Sequence, residues 1–431
     1  MQSTSRSFLR YLKYFGPGAI IACMTIGAGD IVLAPRIGAW AVPLYSALWI
    51  ITFAMITKGL TAYLATRYSL LSGEHIMTLF ARVRPRGWIN VVSLIIGFVL
   101  LPFMIATFLT ILGNVVTLFT GTGDFILWGV GLGLAIALLG FISSYKIIER
   151  IQLIFVIFLS IGAIIAVAVV HPDWIAMLKG LFTPQVPTVA SWVTAEDIIT
   201  VPVMLQLAAI YGTMHGAYAD FTAYISWWRL RVHEKKVALK SEIMTGVKID
   251  LFISFIIVAI FMTAFLAAGV VILGQRQLVP NGVDLISQQR SIYEVISPFV
   301  GYYLYPLAMM VVIAGSIYAG MDATPRMIKA WLDPLSTRAK TISFKRFQGY
   351  ILLYLLIVSV PLMFIQKPII LMTIYLLLTG VFGMWLLGWG ALWANQRHLP
   401  KEQQLGKAKV ILFLVNNIVV TVFIVLILVL R

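Results

Sequence analysis

The chain predicts an all-α integral membrane protein of about eleven transmembrane helices, on three observations. Its 431 residues are 61% hydrophobic and only 11% charged, whereas a soluble domain is roughly 25% charged. Apolar runs of about 20 residues, enough to span a bilayer, start near residues 14, 43, 89, 124, 149, 199, 248, 294, 347, 367 and 408. Basic residues then fall in alternate loops, the pattern that orients membrane proteins.

The charge of +16 is spread accordingly. Basic clusters occur around Arg6, Arg10 and Lys13, around Arg82, Arg84 and Arg86, at Lys146 and Arg150, at 229–240, at 326–346 and at 397–409, while the intervening loops hold Lys179, Arg276, Arg290 and Lys367. This alternation puts the N-terminus in the cytoplasm and the C-terminus outside. The basic excess thus contacts anionic membrane lipid, not nucleic acid. The start reads as a retained first span, because its apolar run is too long for a cleaved signal. A single cysteine, Cys23, excludes an internal disulfide and a cysteine-built metal site.

Span 1 is interrupted near its middle. Thr25-Ile26-Gly27-Ala28-Gly29-Asp30 places two glycines and a carboxylate where a plain membrane helix carries Leu or Val. Lipid tolerates neither loose backbone nor a bare charge, so such a break lines a protein cavity. Span 2 carries Lys58 about ten residues before Arg67. Span 6 is broken like span 1: Tyr211-Gly212-Thr213-Met214-His215-Gly216 is followed by Asp220. Interrupted helices at corresponding positions of two halves point to a carrier with a midplane site. Their separation of five spans makes the halves opposite in orientation. The expected organisation is one transporter domain over 1–431, with inverted repeats at roughly 14–171 and 198–392 and an extra helix at roughly 408–430.

Several segments resemble the Nramp family of divalent-metal transporters, which has the leucine-transporter-type fold. Gly16-Pro17-Gly18 and Ile37-Gly38-Ala39 bracket the family's Asp-Pro-Gly-Asn motif without a gap, and Ala65-Thr66-Arg67-Tyr68-Ser69-Leu70-Leu71-Ser72-Gly73 is similar to its Ala-Ala-Arg-Leu-Gly-x-x-Thr-Gly. Ile148-Glu149-Arg150 and Leu178-Lys179-Gly180-Leu181 fit as well. The resemblance implies a 5+5 inverted repeat with broken helices 1 and 6. It also implies alternating access, in which spans 1, 2, 6 and 7 rock against the rest. The motif falls on Gly27-Ala28-Gly29-Asp30, so Gly27 replaces the family's metal-binding aspartate and Asp30 its asparagine. The family's Met-Pro-His falls near Met214-His215-Gly216. Lys58 is similar to a lysine of distant bacterial relatives, which assigns the chain to an outlying branch.

The candidate substrate site is therefore Gly27, Asp30, Met214, His215 and Tyr218, with Asp30 and Met214 as candidate metal ligands. Asp30 offers the hard oxygen that magnesium and manganese prefer, and Met214 a softer thioether. Asp30 could instead cap the second half-helix or pair with Lys58 or Arg36. His215 reads either as a proton carrier or as a neutral core histidine. Asp220 reads as a relay partner for His215 or as one end of an internal salt bridge, and Tyr218 reads equally as packing. Lys58, His215 and Asp220 form the candidate coupling set. A lysine repels a divalent cation unless a carboxylate neutralises it, so Lys58 could mimic a coupling ion or face an organic substrate. Asp250 and Asp322 are expected to pair locally with Lys248 and Arg326. Arg36 could gate the outer vestibule or anchor at the interface.

No phosphate-binding glycine loop, His-Glu-x-x-His pair or activated nucleophile occurs, so the chain is not expected to be an enzyme. The leading expectation is a proton-coupled, monomeric carrier of a divalent cation of the manganese, magnesium or iron class, with no resident cofactor. The alternative is a carrier of a small anionic or zwitterionic organic solute. A channel would need a continuous polar lining, which two isolated breaks do not supply.

Overall fold

Long apolar runs can satisfy their backbone in a bilayer only as helices or closed barrels. The computed structural model, which describes residues 16–142, 145–194, 201–234, 241–281, 284–365 and 368–430, is nearly all helical. The first span is two helices, α1 (Pro17–Thr25) and α2 (Ala28–Trp40), bent by 50° at their break. α3 (Trp49–Leu71), α4 (Trp88–Thr120), α5 (Phe125–Ile142) and α6 (Tyr145–Val169) follow. A second split segment comprises α7 (Val203–Thr213) and α8 (Tyr218–Glu234). α9 (Ser241–Ala268), α10 (Tyr305–Leu332), α11 (Phe344–Leu362), α12 (Gly383–Arg397) and α13 (Lys407–Val429) complete the apolar helices. Among the described residues seven stretches have the length and hydropathy to cross a membrane, and the bent α1–α2 pair makes an eighth span. α5 and α6 contribute shorter apolar stretches, Phe125–Leu139 and Val156–Val169. The chain is a multi-pass membrane protein. Its lipid-facing residues are apolar: α13 exposes Ile411, Val415, Val419 and Val422 while burying Phe413, Val420 and Phe423.

Two groups of helices meet at the breaks. α9 packs on α1, α2 and α3, whereas α4 packs on α5, α10 and α11. α7 lies between α2 and a π-helical turn, Leu376–Phe382, that precedes α12. That contact is backbone on backbone: a Cβ on Gly380 would sit 2.4 Å from the Gly212 Cα, so only glycine permits it.

Backbone groups freed by the irregularities are met by distant side chains. Pro35 inside α2 has no N–H, which orphans the Ile31 carbonyl one turn earlier. The Gln289 amide donates to that carbonyl at 2.8 Å, and the Tyr305 hydroxyl holds Gln289 in turn at 2.9 Å. At the start of α1, the Gly16 and Gly18 N–H groups donate to the Asp250 carboxylate at 3.0 and 2.9 Å. Asp250 on α9 also accepts from the Tyr224 hydroxyl at 2.9 Å and the Trp228 indole at 3.2 Å. It thus caps a helix 232 residues away in sequence instead of pairing with Lys248, whose ammonium lies over the Tyr63 ring. Asp322 pairs with Arg326 as the spacing suggests, at 2.6 and 2.9 Å. Arg36 is buried, and its guanidinium donates to the Pro280 carbonyl.

Candidate functional site

The two breaks share one design. Gly27 precedes α2 and Asp30 is its third residue; Ala217 precedes α8 and Asp220 is its third residue. Each aspartate therefore stands in the first turn of a second half-helix, where the helix dipole favours negative charge. Asp220 uses the position conventionally: its carboxylate accepts the Ala217 N–H at 2.6 Å, the reciprocal half of a capping box. Asp30 does not. It is fully buried, makes no capping bond, and neither carboxylate oxygen has a hydrogen-bond partner. The Thr213 hydroxyl, which donates to the Ile210 carbonyl at 3.1 Å, is the one donor close enough to act on the Asp30 carboxylate among the described residues.

The end of α7 shows where its carbonyls go. The last carbonyls of a helix have no internal donors. Here the Met214 N–H reaches Ile210, and the Gly216 N–H reaches Thr213. The Lys58 ammonium takes the remaining carbonyls, donating to Tyr211 at 3.0 Å, Gly212 at 3.1 Å and Met214 at 2.7 Å. Lys58 is fully buried, and the Asp30 and Asp220 charges both act on it. An ammonium thus fills the ring of carbonyls that a broken membrane helix would otherwise offer to a free cation. The sequence pointed to Lys58 pairing with one aspartate; its hydrogen bonds go to backbone.

The turn between α7 and α8 is left-handed at His215 (φ 54°) and Gly216 (φ 85°). Glycine takes this conformation freely; for His215 it costs roughly 1 kcal/mol. His215 is fully buried, with its ring stacked on Phe255 at 3.9 Å and on Phe221 at 5.8 Å, and both ring nitrogens lack partners. Met214 is also fully buried. The Tyr218 hydroxyl engages Ser93 at 3.0 Å and the Met77 sulfur at 3.1 Å, and its ring stacks on Trp331. A Cβ on Gly27 would lie 2.6 Å from the Ser316 hydroxyl, so this backbone has no room for the family's aspartate unless Ser316 shifts.

Between the breaks lies a cavity of about 70 Å³, bounded by Thr25, Gly29, Thr213, Gly216, Asp220 and Ser316 among others. It has room for a few waters or a small ion. No group of three or more His, Cys, Asp or Glu able to hold a metal occurs among the described residues. The carboxylate in the cavity wall is Asp220, beside the hydroxyls of Thr25, Thr213 and Ser316; Asp30 lies behind Gly29 and Thr213, and Gly27, Met214 and His215 are not part of the wall. Ser316, Thr213 and the carbonyls of Tyr211 and Gly212 had no signal in the sequence, being ordinary residues of apolar spans.

Two broken spans meeting at buried charges, within a many-helix membrane fold, are the arrangement of a membrane carrier. The sequence matches the family described as natural resistance-associated macrophage protein-like over residues 18–430, and the chain belongs to this Nramp family. It is accordingly a transporter of the Nramp metal-ion type and not an enzyme. A search of curated proteins by sequence found no match. Among solved structures, a manganese transporter of Eremococcus coleocola is similar, at 14% identity and a TM-score of 0.72, covering 97% of this chain and 86% of that one. MhsT in complex with L-phenylalanine is similar at 14% identity and 0.54, covering 96% and 98%. Mhp1, a nucleobase-cation-symport-1 family transporter, is similar at 13% and 0.56, covering 96% and 90%. These likenesses establish the leucine-transporter-type fold.

Proposed function

We propose that the chain carries a divalent cation of the manganese, magnesium or iron class, engaging it at Asp30. One observation carries this reading. Two aspartates occupy the same register of two broken helices; Asp220 is satisfied as a cap, and Asp30 keeps both oxygens buried without a partner. A buried, unpartnered carboxylate is costly, and a cation arriving from the neighbouring cavity would relieve that cost. The donors nearby are the carboxylates of Asp30 and Asp220 and the hydroxyls of Thr213 and Ser316, a hard set suited to manganese and magnesium; Met214, the softer candidate ligand, would have to turn toward it. The cavity of about 70 Å³ favours an ion over an organic solute, since small-molecule sites usually offer about 300–1,000 Å³.

Lys58 fits this reading as a tethered cation that satisfies the carbonyls while the site is empty. We propose that coupling to protons runs through Lys58 and Asp220, whose charges act on one another at the break. His215 is a weaker participant, because aromatic rings enclose it. The carrier is proposed to act as a monomer in a bacterial inner membrane, without a resident cofactor and with its N-terminus cytoplasmic. The alternating basic loops support that orientation.

The test is uptake into proteoliposomes, with manganese, magnesium and calcium measured separately, with and without a pH gradient. Saturable manganese or magnesium uptake that Asp30→Asn abolishes is the expected result. No divalent uptake by the intact chain, or an Asp30→Asn variant as active as wild type, would overturn the assignment.

A further inference from the structure

A second cavity, of about 560 Å³, opens away from the breaks, among the ends of α3, α8 and α10 and the short helix Thr337–Thr341. Its lining includes His75, Arg229, Arg326, Lys329, Asp333 and Lys340. Several of these charges are already matched. Arg326 is bound to Asp322. Lys329 donates to Asp333 and to the Ala339 carbonyl, each at 2.9 Å. Glu74, also in the wall, is held from outside by Arg82 at 2.6 Å. Two cations are left over. Arg229 makes no ion pair among the described residues, although the Glu74 charge acts on it; it donates one bond, to the Gly73 carbonyl at 2.9 Å, and its Nε is buried without a partner. The exposed Lys340 ammonium has no hydrogen-bond or ion-pair partner among the described residues. His75 adds no charge, because burial and the Arg229 guanidinium push it down to about 3. The walls also carry the hydroxyls of Thr78 and Ser226.

We infer that this cavity binds a phosphate-bearing ligand, with the phosphate seated between Arg229 and Lys340. A surplus of two cations matches the charge of a phosphate monoester, and a guanidinium offers the forked donors that phosphate oxygens accept well. The volume lies within the usual range for small-molecule sites. Because Arg229 sits on α8 and Lys340 follows α10, the ligand would tie the end of a broken span to the packed helices opposite. Occupancy would hold these elements at one separation and slow the transport cycle. The ligand could be a lipid headgroup or a soluble phosphate; both present the same chemistry.

The full chain in detergent is titrated with inorganic phosphate and with glycerol 3-phosphate, against chloride at equal ionic strength. In parallel, it is placed in nanodiscs of phosphatidylcholine with or without phosphatidic acid. Thermal unfolding and calorimetry read binding. Stabilisation by the soluble anions, or by phosphatidic acid alone, supports the site and distinguishes its source. Lys340→Gln, an exposed change that leaves folding intact, and Arg229→Gln are each expected to weaken binding about tenfold, the loss of one charge-assisted contact. Lys401→Gln, away from the cavity, serves as control and should change nothing. The inference fails if neither phosphate nor phosphatidic acid stabilises the wild type beyond chloride, or if Lys340→Gln and Arg229→Gln both bind as tightly as wild type.

Discussion

Replacing Lys58 with methionine keeps the length and apolar stem of the side chain and removes only the ammonium. Three carbonyls, of Tyr211, Gly212 and Met214, then lose their donor inside the protein. An unsatisfied buried polar group costs about 1–3 kcal/mol, so the low end already gives about 3 kcal/mol. Asp30 and Asp220 also lose the positive charge that acts on both, and breaking a buried charge pairing costs about 3–5 kcal/mol. The terms overlap, because water and relaxation soften both, and a net loss of at least about 3 kcal/mol is expected. The vacated carbonyls and carboxylates form a cation site, so added cation should restore stability. At one hundred times its dissociation constant a bound ion contributes about 2.7 kcal/mol, nearly the whole loss. The assay is thermal unfolding of wild type and Lys58→Met in detergent. Potassium, magnesium and manganese are titrated against an organic cation too large for the break. The variant should melt lower and recover with inorganic cation, while the wild type responds less. A variant as stable as wild type, with no cation response, would refute the view that the ammonium completes the break.

Asp30→Asn keeps the shape and removes the charge; divalent affinity should fall about 10-fold or more, the worth of one charge-assisted contact, as read by isothermal calorimetry. Gly27→Asp alone should destabilise by about 1–3 kcal/mol through overpacking, because its Cβ meets the Ser316 hydroxyl at 2.6 Å. Combined with Ser316→Gly it should fold and bind manganese more tightly than wild type, and equal affinity would count against the proposed site. Asp250→Ala strands the N–H groups of Gly16 and Gly18, the Tyr224 hydroxyl and the Trp228 indole; about 3 kcal/mol or more of stability should be lost in chemical denaturation. His75 lies in the loop after α3, where its Nδ1 accepts the Met77 N–H at 3.2 Å, and its pKa is lowered to about 3. The unfolded imidazole binds a proton below about 6.5 and the folded one does not. Stability is therefore intact above that pH and falls by about 1.4 kcal/mol per unit as pH drops toward 3. His75→Asn, which can still accept from Met77, should flatten that slope between pH 4 and 6.5 in thermal melts.

Much of this was legible in the sequence because a bilayer enforces simple rules. The breaks at 25–30 and 213–217 stand out, since glycine and charge interrupt an otherwise apolar run, and both are breaks in the structure. The resemblance to Nramp rested on short motifs and held over residues 18–430. The partners of the buried charges were less legible. Lys58 binds carbonyls and Asp250 binds backbone N–H groups, and a backbone group has no letter of its own. Side-chain charges invite pairing by sign and spacing, which worked for Asp322 and Arg326 within one helix. It failed for Asp250, whose partners come from a helix start 232 residues away. The contrast between Asp30 and Asp220 was equally hidden, because the same residue in the same register is satisfied at one break and bare at the other.

The Asp250 carboxylate joins three pieces of chain: its own helix α9, the foot of α1, and Tyr224 and Trp228 on α8. A door made of α1 alone could not swing, because its foot is bolted to two neighbours by a single buried anion. Opening on that side either breaks the two bonds from Gly16 and Gly18 or carries α1, α8 and α9 together as one leaf. The second motion keeps all four bonds, and it places the flexing at the breaks Thr25–Gly27 and His215–Gly216. The cavity of about 70 Å³ lies beside those joints, with Thr25 and Gly216 in its wall, so under the proposed function the points where the leaf bends are also where an ion would be felt.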